Sequence, residues 1–472
     1  MYFCRWQKYT ISRLARGSCT RIAGVALAAL LAGAGPGFAQ APAKEPGWDQ
    51  GRSVYERRIR PVEAPEKVDW DARVAALLRE EPGDVIVTAV GDMIFNERIS
   101  QLKEPERKNL LRILQESDLG VGNLEFSLND RPELQRPFYN FRAPRDFAWE
   151  LAAIGINLVS MANNHALDFG PEGLKECLRA LDLSGIAHAG AGRTLAEAHQ
   201  PGTKKIQGQK ERMALLSYMR YWTDRNRCAD PSGPCLATID PATILVAHEG
   251  GKVEAIEGPR EDDVKAMEED ILLAKRHNGT VMVSLHVHDV SHSRAYGIQD
   301  TTPPNEEIPF RRAIDAGADA ILGTGPHVLR GIELRDGRPI FYSLSNFIYQ
   351  YRTPKAIPTD LPHQRDSEME RLPNVSVWDR RDPRQVMESV VARMTYNSGR
   401  LRKLELIPVT IDDEGLLYGV PRLASTKRAK EIVELLQRLS SPFGTKIAWK
   451  GWYGEVELPA AGTAPAGKQP GR

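Results

Sequence analysis

Along the first two thirds of the chain, short continuous apolar runs alternate with stretches whose apolar positions recur every three or four residues. Asp84-Val-Ile-Val-Thr-Ala-Val-Gly91 reads as a buried strand, and Arg107 to Gln115 as a helix with Leu110, Leu111 and Leu114 on one face. Leu119 to Asn123 is a second strand, Arg145 to Ile154 a helix, Ile156 to Met161 a third strand and Gly173 to Leu183 another helix. This alternation predicts an α/β fold, with layers around a largely parallel sheet segment.

The middle changes character. Lys204 to Gln207 and Arg212 to Tyr218 predict paired strands around Gly208-Gln-Lys-Glu211. A helix over Asp262 to Arg276 carries Val264, Met267, Ile271 and Leu272 at helical spacing, and Thr280 to His286 is a buried strand. A helix over Phe310 to Ala316 and a strand over Ala320 to Gly323 follow. Val328 to Leu334 and Pro339 to Ser343 flank Arg335-Asp-Gly-Arg338, a hairpin signal because Asp-Gly suits the primed turns. Arg352 to Arg384, rich in Pro, Asp and Arg, reads as a surface insertion. Met387 to Tyr396 and Leu401 to Ile411 form a second hairpin about Asn397-Ser-Gly399, and Lys427 to Leu439 is an amphipathic helix. From Pro459 onward the residues are small and polar, as in a disordered tail.

Length and charge narrow the picture. A chain of 472 residues has room for two or three domains with one large core. Lys plus Arg number 63 and Asp plus Glu 62, so no net field draws in nucleic acid, and a polyanion must be met by a local patch. Met1 to Arg21 holds Arg5, Lys8, Arg13, Arg16 and Arg21 without an acid, then comes an apolar run from Ile22 to Ala32, then Gly37-Phe-Ala39. That order predicts a secretory signal cut after Ala39, with an uncleaved anchor as the alternative, and places the protein in the periplasm or cell envelope. The expected organisation is a signal over 1–39, a linker and N-terminal extension over 40–83, the main domain over 84–350, the insertion over 351–385, a C-terminal hairpin and helix completing the domain over 386–458, and the tail over 459–472. Of five cysteines, Cys4 and Cys19 leave with the signal. Cys228 and Cys235, in a loop of Asp, Pro and Gly, are placed to pair in an oxidising compartment, and Cys177 falls on a helix's apolar face as a buried thiol.

Candidate chemistry collects where the strands end. Asp92 closes the first strand, Asn123-Leu-Glu125 the second, Asn163-Asn-His165 the third, His286-Val-His288 the fourth, and Gly325-Pro-His327 follows the fifth. Ligands in open α/β sheets gather at the carboxyl ends of strands, so five such matches in register predict one shared site. Carboxylate, amide oxygen and imidazole together suit Mn, Fe or Zn. Two such ions bridged by Glu125, with Asp92 a terminal ligand, would support displacement at phosphorus. His165 is placed to protonate a leaving oxygen and Asp168 to orient it. Arg98 and Arg142 are candidates to hold an anionic substrate, or else salt-bridged surface residues. Asn163, at the end of the third strand, and Asn346 join them as candidates for substrate contact. Trp449-Lys-Gly-Trp452 places two indoles together, as a carbohydrate platform or as packing for the C-terminal helix.

Gly91-Asp92, Asn123-Leu-Glu125, Phe141-Arg-Ala-Pro144, Ala162-Asn-Asn-His-Ala-Leu-Asp-Phe-Gly170, Ile314-Asp-Ala-Gly-Ala-Asp319, Gly325-Pro-His-Val328 and Arg338-Pro-Ile-Phe-Tyr-Ser-Leu-Ser-Asn-Phe347 resemble the bacterial CapA capsule-synthesis, or poly-γ-glutamate synthesis (PgsA-like), family. The resemblance implies a four-layer α-β-β-α sandwich of metallophosphoesterase type. It puts Asp92, Glu125, Asn164, His286 and His327 at metal-ligand positions and His165 at the catalytic histidine. There are departures. Thr324 and Gly325 stand where many members carry His, leaving His288 to supply the missing imidazole or one of two metal positions incomplete. Val287-His288 replaces Trp-Gly, and Ser345 replaces a Gly. Two functions follow. One is an exported metal-dependent hydrolase of a phosphoester or envelope-polymer substrate. The other is a non-catalytic accessory protein that positions an anionic polymer beside membrane-bound synthesis proteins.

Overall fold

In a computed structural model of the chain, residues 67–94, 97–131, 141–220, 228, 230–247, 253–287, 302, 304–350, 383–413 and 415–459 are described. The expected signal, His288, and most of the expected insertion and tail lie outside the described residues. All described residues belong to one compact unit, Pro65–Arg472.

Sheet one is built around β1 (Asp84–Ile94), which is buried along nearly its whole length. β2 (Leu119–Leu124), β3 (Leu158–Ser160) and β4 (Ala187–Ala189) add to it in parallel order on one side. On the other side β1 pairs first with antiparallel β13 (Glu388–Asn397) and then, from Asp92 to Ile94, with parallel β12 (Asn346–Tyr349). Sheet two has the order β7-β6-β8-β9-β11-β10, with β5 beside β6. Its strands are β5 (Gly202–Lys205), β6 (Arg212–Arg220), β7 (Thr238–Ile239), β8 (Thr280–His286), β9 (Ala320–Thr324), β10 (Ile332–Arg335) and β11 (Arg338–Phe341). Completing sheet one are β12 (Asn346–Tyr349), β13 (Glu388–Asn397), β14 (Arg400–Ile411), β15 (Pro421–Leu423), β16 (Ile447–Trp449) and β17 (Gly454–Val456).

Period-two alternation puts each strand's apolar residues on two different cores. Val85, Val87 and Ala89 of β1, Leu215 of β6, Met282 of β8 and Leu322 of β9 fill the space between the sheets. Val90 and Met93 of β1 instead meet α1 (Trp70–Leu77), α2 (Pro105–Gln115), α3 (Phe147–Ala153) and α4 (Gly170–Ser184). On the far side, Ala214, Leu216, Val281 and Val283 pack under α5 (Glu261–His277) and α6 (Pro304–Asp315). The layer order is therefore α-β-β-α, as expected. α7 (Thr426–Ser440), N-capped by Ser425, closes one end of the inter-sheet core with Ile432, Val433 and Leu436.

Several expectations need correcting. Leu272 is 52% exposed, because the buried stripe of α5 runs through Val264, Met267, Ile271 and Ala274 and Leu272 falls beside it. Residues Trp70–Leu77, in the stretch expected to hold a linker and N-terminal extension, form α1 and bury Trp70, Val74 and Leu77. Trp452 is buried and meets the Trp70 ring edge-on at 5.9 Å, so that indole is core and not a platform. α6 starts at Pro304, upstream of the start expected at Phe310, and carries Pro309 inside it. A separate hairpin, Pro241–Ala247 with Val253–Pro259, was not anticipated. Cys228 and Cys235 form a disulfide, and the buried Cys177 thiol is pushed up to about 12 by burial. Among the described residues no helix is long and apolar enough to cross a membrane.

Candidate functional site

The site lies where β1, β2, β3, β8 and β9 end together. Asp92 sits at a register irregularity of β1, which shifts against β2 between Ala89 and Asp92 and against β12 between Asp92 and Met93. Such bulges re-aim side chains beside functional sites. The preceding residue must be glycine, since a Cβ on Gly91 would lie 1.9 Å from the Ser345 carbonyl oxygen. Two loops complete the edge in left-handed conformations, His327 at φ 58° and Ser345 at φ 65°. Ser345 thus takes the conformation for which the resemblance expects glycine, and its hydroxyl donates to the His327 carbonyl at 3.2 Å.

Asp92, Glu125 and His327 offer ligand atoms that all lie within 4.8 Å of one another. His327 Nδ1 is 3.3 Å from Asp92 Oδ2, and its Nε2 is 3.7 Å from Glu125 Oε1. His286 Nε2 approaches Glu125 Oε1 at 3.8 Å and Asn164 Oδ1 at 2.9 Å. All five ligand positions suggested by the resemblance therefore meet at one sheet edge. The half built on His327, expected to lack a partner, is the half where carboxylates and imidazole converge. Where further imidazoles are expected, the Gly325 amide donates to Asp92 Oδ2 at 3.0 Å and the Thr324 hydroxyl lies 3.0 Å from His286 Nδ1.

Burial sets the electrostatics. The Glu125 carboxyl is held well above the usual carboxylate range, first by burial, then by Asp92 and Asp168. His286 is pushed well below the usual histidine range by burial, with His327 and His165 adding to the effect, so its ring is neutral. His165 Nδ1 is 2.8 Å from Asp168 Oδ2, which also accepts from the Phe141 amide at 2.9 Å, and the Phe141 ring lies 4.5 Å from the imidazole.

The four candidates for substrate contact are placed differently. Arg98 is engaged with Asp146, just before α3, at 2.6 Å and with Glu150 of α3 at 3.3 Å. Arg142 donates to the Arg131 carbonyl and lies over the Phe169 ring at 5.7 Å. Asn163 is fully buried and spends its amide on Asn123, the Leu124 carbonyl and the His165 amide. Asn346, also buried, accepts from His327 Nδ1 at 2.8 Å. Both asparagines hold site residues in place. Asn123, quoted in a motif but given no role, contacts Asp92, Ser160, Asn163 and His286. A buried amide linking strand ends has no sequence signal beyond its place in the motif.

The α-β-β-α layering is the expected one, and among the described residues Asp92, Glu125 and His327 form a group able to hold a metal ion. The chain belongs to the bacterial capsule synthesis protein PGA_cap family, whose model matches residues 86–351. It is 30% identical over 437 residues to the uncharacterized protein y4sH of Sinorhizobium fredii, across 79% of this chain and 93% of that one. It is 26% identical to the PGA biosynthesis protein CapA of Bacillus subtilis, across 55% of this chain and 62% of the relative. The capsule biosynthesis protein CapA of Bacillus anthracis is 23% identical, across 58% and 62%.

Proposed function

We propose that the protein is an exported, divalent-cation-dependent hydrolase of a phosphoester or envelope-polymer substrate. The observation that carries this reading is the cluster of buried Asp92 and Glu125 with half-buried His327, set beside the His165–Asp168 pair. Two carboxylates packed together out of water repel each other, and a divalent ion among them offsets that repulsion, so the donor set fits Mn, Fe or Zn. When bound, such an ion supplies Lewis acidity towards a phosphoryl or acyl oxygen. Asp168 accepts from His165 Nδ1, which leaves Nε2 as the nitrogen that delivers a proton to a leaving oxygen. The Phe141 amide and ring hold that pair in place. Export is supported by the signal-like first 39 residues and by the Cys228–Cys235 disulfide, which persists in oxidising compartments.

The departure at Thr324 and Gly325 favours a second reading, in which the same site binds an anionic polymer without turnover beside membrane-bound synthesis proteins. The test is hydrolysis of an aryl phosphodiester with and without added manganese. Turnover that depends on manganese and collapses in His165→Ala supports the hydrolase. Bound manganese without turnover in the wild type sinks it and leaves the accessory role.

A further inference from the structure

Asp92 and His327 approach each other from different sheets. Asp92 lies on β1 of sheet one, and His327 follows β9 of sheet two. Their separation, 3.3 Å from Asp92 Oδ2 to His327 Nδ1, therefore depends on what joins the two sheet ends. Residues 342–345 make that crossing, from β11 of sheet two to β12 of sheet one, and Ser345 is the last of them. Its carbonyl oxygen accepts from the Asp92 amide at 2.9 Å, and its hydroxyl donates to the His327 carbonyl at 3.2 Å. One buried residue thus holds the backbone of two of the three clustered ligands.

Other bonds hold the loop's course independently of that hydroxyl. The Leu344 amide donates to the Gly323 carbonyl at 3.0 Å, and the Leu344 carbonyl accepts from the Ser389 hydroxyl at 2.8 Å. The Ser345 amide donates to Ser343 Oγ at 3.1 Å. The turn itself asks for glycine, since at φ 65° a Cβ is unfavourable. Serine is the costlier residue there, and what it adds over glycine is a donor aimed at His327. His327 is also left-handed, at φ 58°, a conformation that persists only where its neighbours hold it. Ser345 Oγ and, at 3.3 Å, Asn346 Nδ2 both donate to its carbonyl.

We propose that Ser345 is a positioning residue for the cation site, fixing His327 against Asp92 through its hydroxyl. The inference rests on the metal-binding reading above. The test titrates manganese into the chelator-treated wild type, Ser345→Gly and Ser345→Ala by calorimetry, with circular dichroism to show that each is folded. The first variant removes the hydroxyl and frees the turn; the second removes the hydroxyl and leaves the turn as constrained as before. Both should bind roughly tenfold more weakly than the wild type, the lower end of the cost of losing an orienting partner. A serine that serves only the turn predicts otherwise for Ser345→Gly, whose freer backbone would bind as tightly as the wild type. Wild-type affinity in either folded variant overturns the positioning role and leaves the metal-binding reading standing. A wild type that binds no manganese overturns both. Should Ser345→Gly fail to fold, Ser345→Ala decides by the same comparison.

Discussion

Replacing Gly91 with alanine tests how the site is held together. The new Cβ would lie 1.9 Å from the Ser345 carbonyl oxygen and 2.8 Å from its carbonyl carbon, both backbone atoms with no rotamer to yield. Restoring an ordinary separation of roughly 3.5 Å requires β1 and the Ser345 loop to part by roughly 1.6 Å. The Asp92 amide, 2.9 Å from that same carbonyl oxygen, loses its hydrogen bond in the process. Overpacking strain of about 1–3 kcal/mol and a buried donor left unsatisfied, at about 1–3 kcal/mol, together predict a loss of roughly 3 kcal/mol. Urea unfolding of the metal-free protein measures it, and the midpoint should fall with the slope unchanged. Cation affinity should fall as well, because Asp92 and Asn346 stand on the two segments that part. A Gly91→Ala protein within 0.5 kcal/mol of wild type, roughly the effect of an ordinary surface change, would refute the reasoning.

Other expectations are as direct. Asn346→Ala should weaken manganese binding by roughly 10–100-fold, the usual cost of losing an orienting partner, while leaving the fold intact by circular dichroism. In the metal-free protein, His286 is neutral with a depressed folded-state value, so its contribution to stability is present above its unfolded value of about 6.5 and is lost as pH falls below it. His286→Gln should remove up to about 1.4 kcal/mol per pH unit from that acid-side slope, read by urea unfolding at a series of pH values; identical slopes would refute it. The Cys177 thiol, raised to about 12 and buried, should resist iodoacetamide at pH 8 in the native protein and react fully once unfolded.

The strands that carry the site were legible because each is a short apolar run ending in a polar residue, and that pattern survives whatever the strand pairs with. Val281, Val283 and Leu285 show it in β8, where buried residues line both faces. Pairing order was not legible. That β1 exchanges β13 for β12 at Asp92 depends on residues hundreds of positions apart. Strands of three residues, such as Ile447–Trp449, are too short for any period to register. The amides of Asn123, Asn163 and Asn346 have the composition of a binding site, yet their partners in the fold make them struts. Leu272 misled because residues one apart on a helix point in different directions.

The position of β13 has a consequence for how the protein assembles. Asp84, which opens β1, pairs with Asn397, whose side-chain amide donates to Asp84 Oδ1 across 313 positions. The matched family region, 86–351, stops before that partner. Until the last quarter of the chain has emerged, the first half of β1 is an uncovered edge open to association with other chains. A protein cut off after residue 351 should therefore aggregate rather than fold as a smaller domain. The stretch that the family model matches and the folding unit are different objects in this molecule, and the second is the larger.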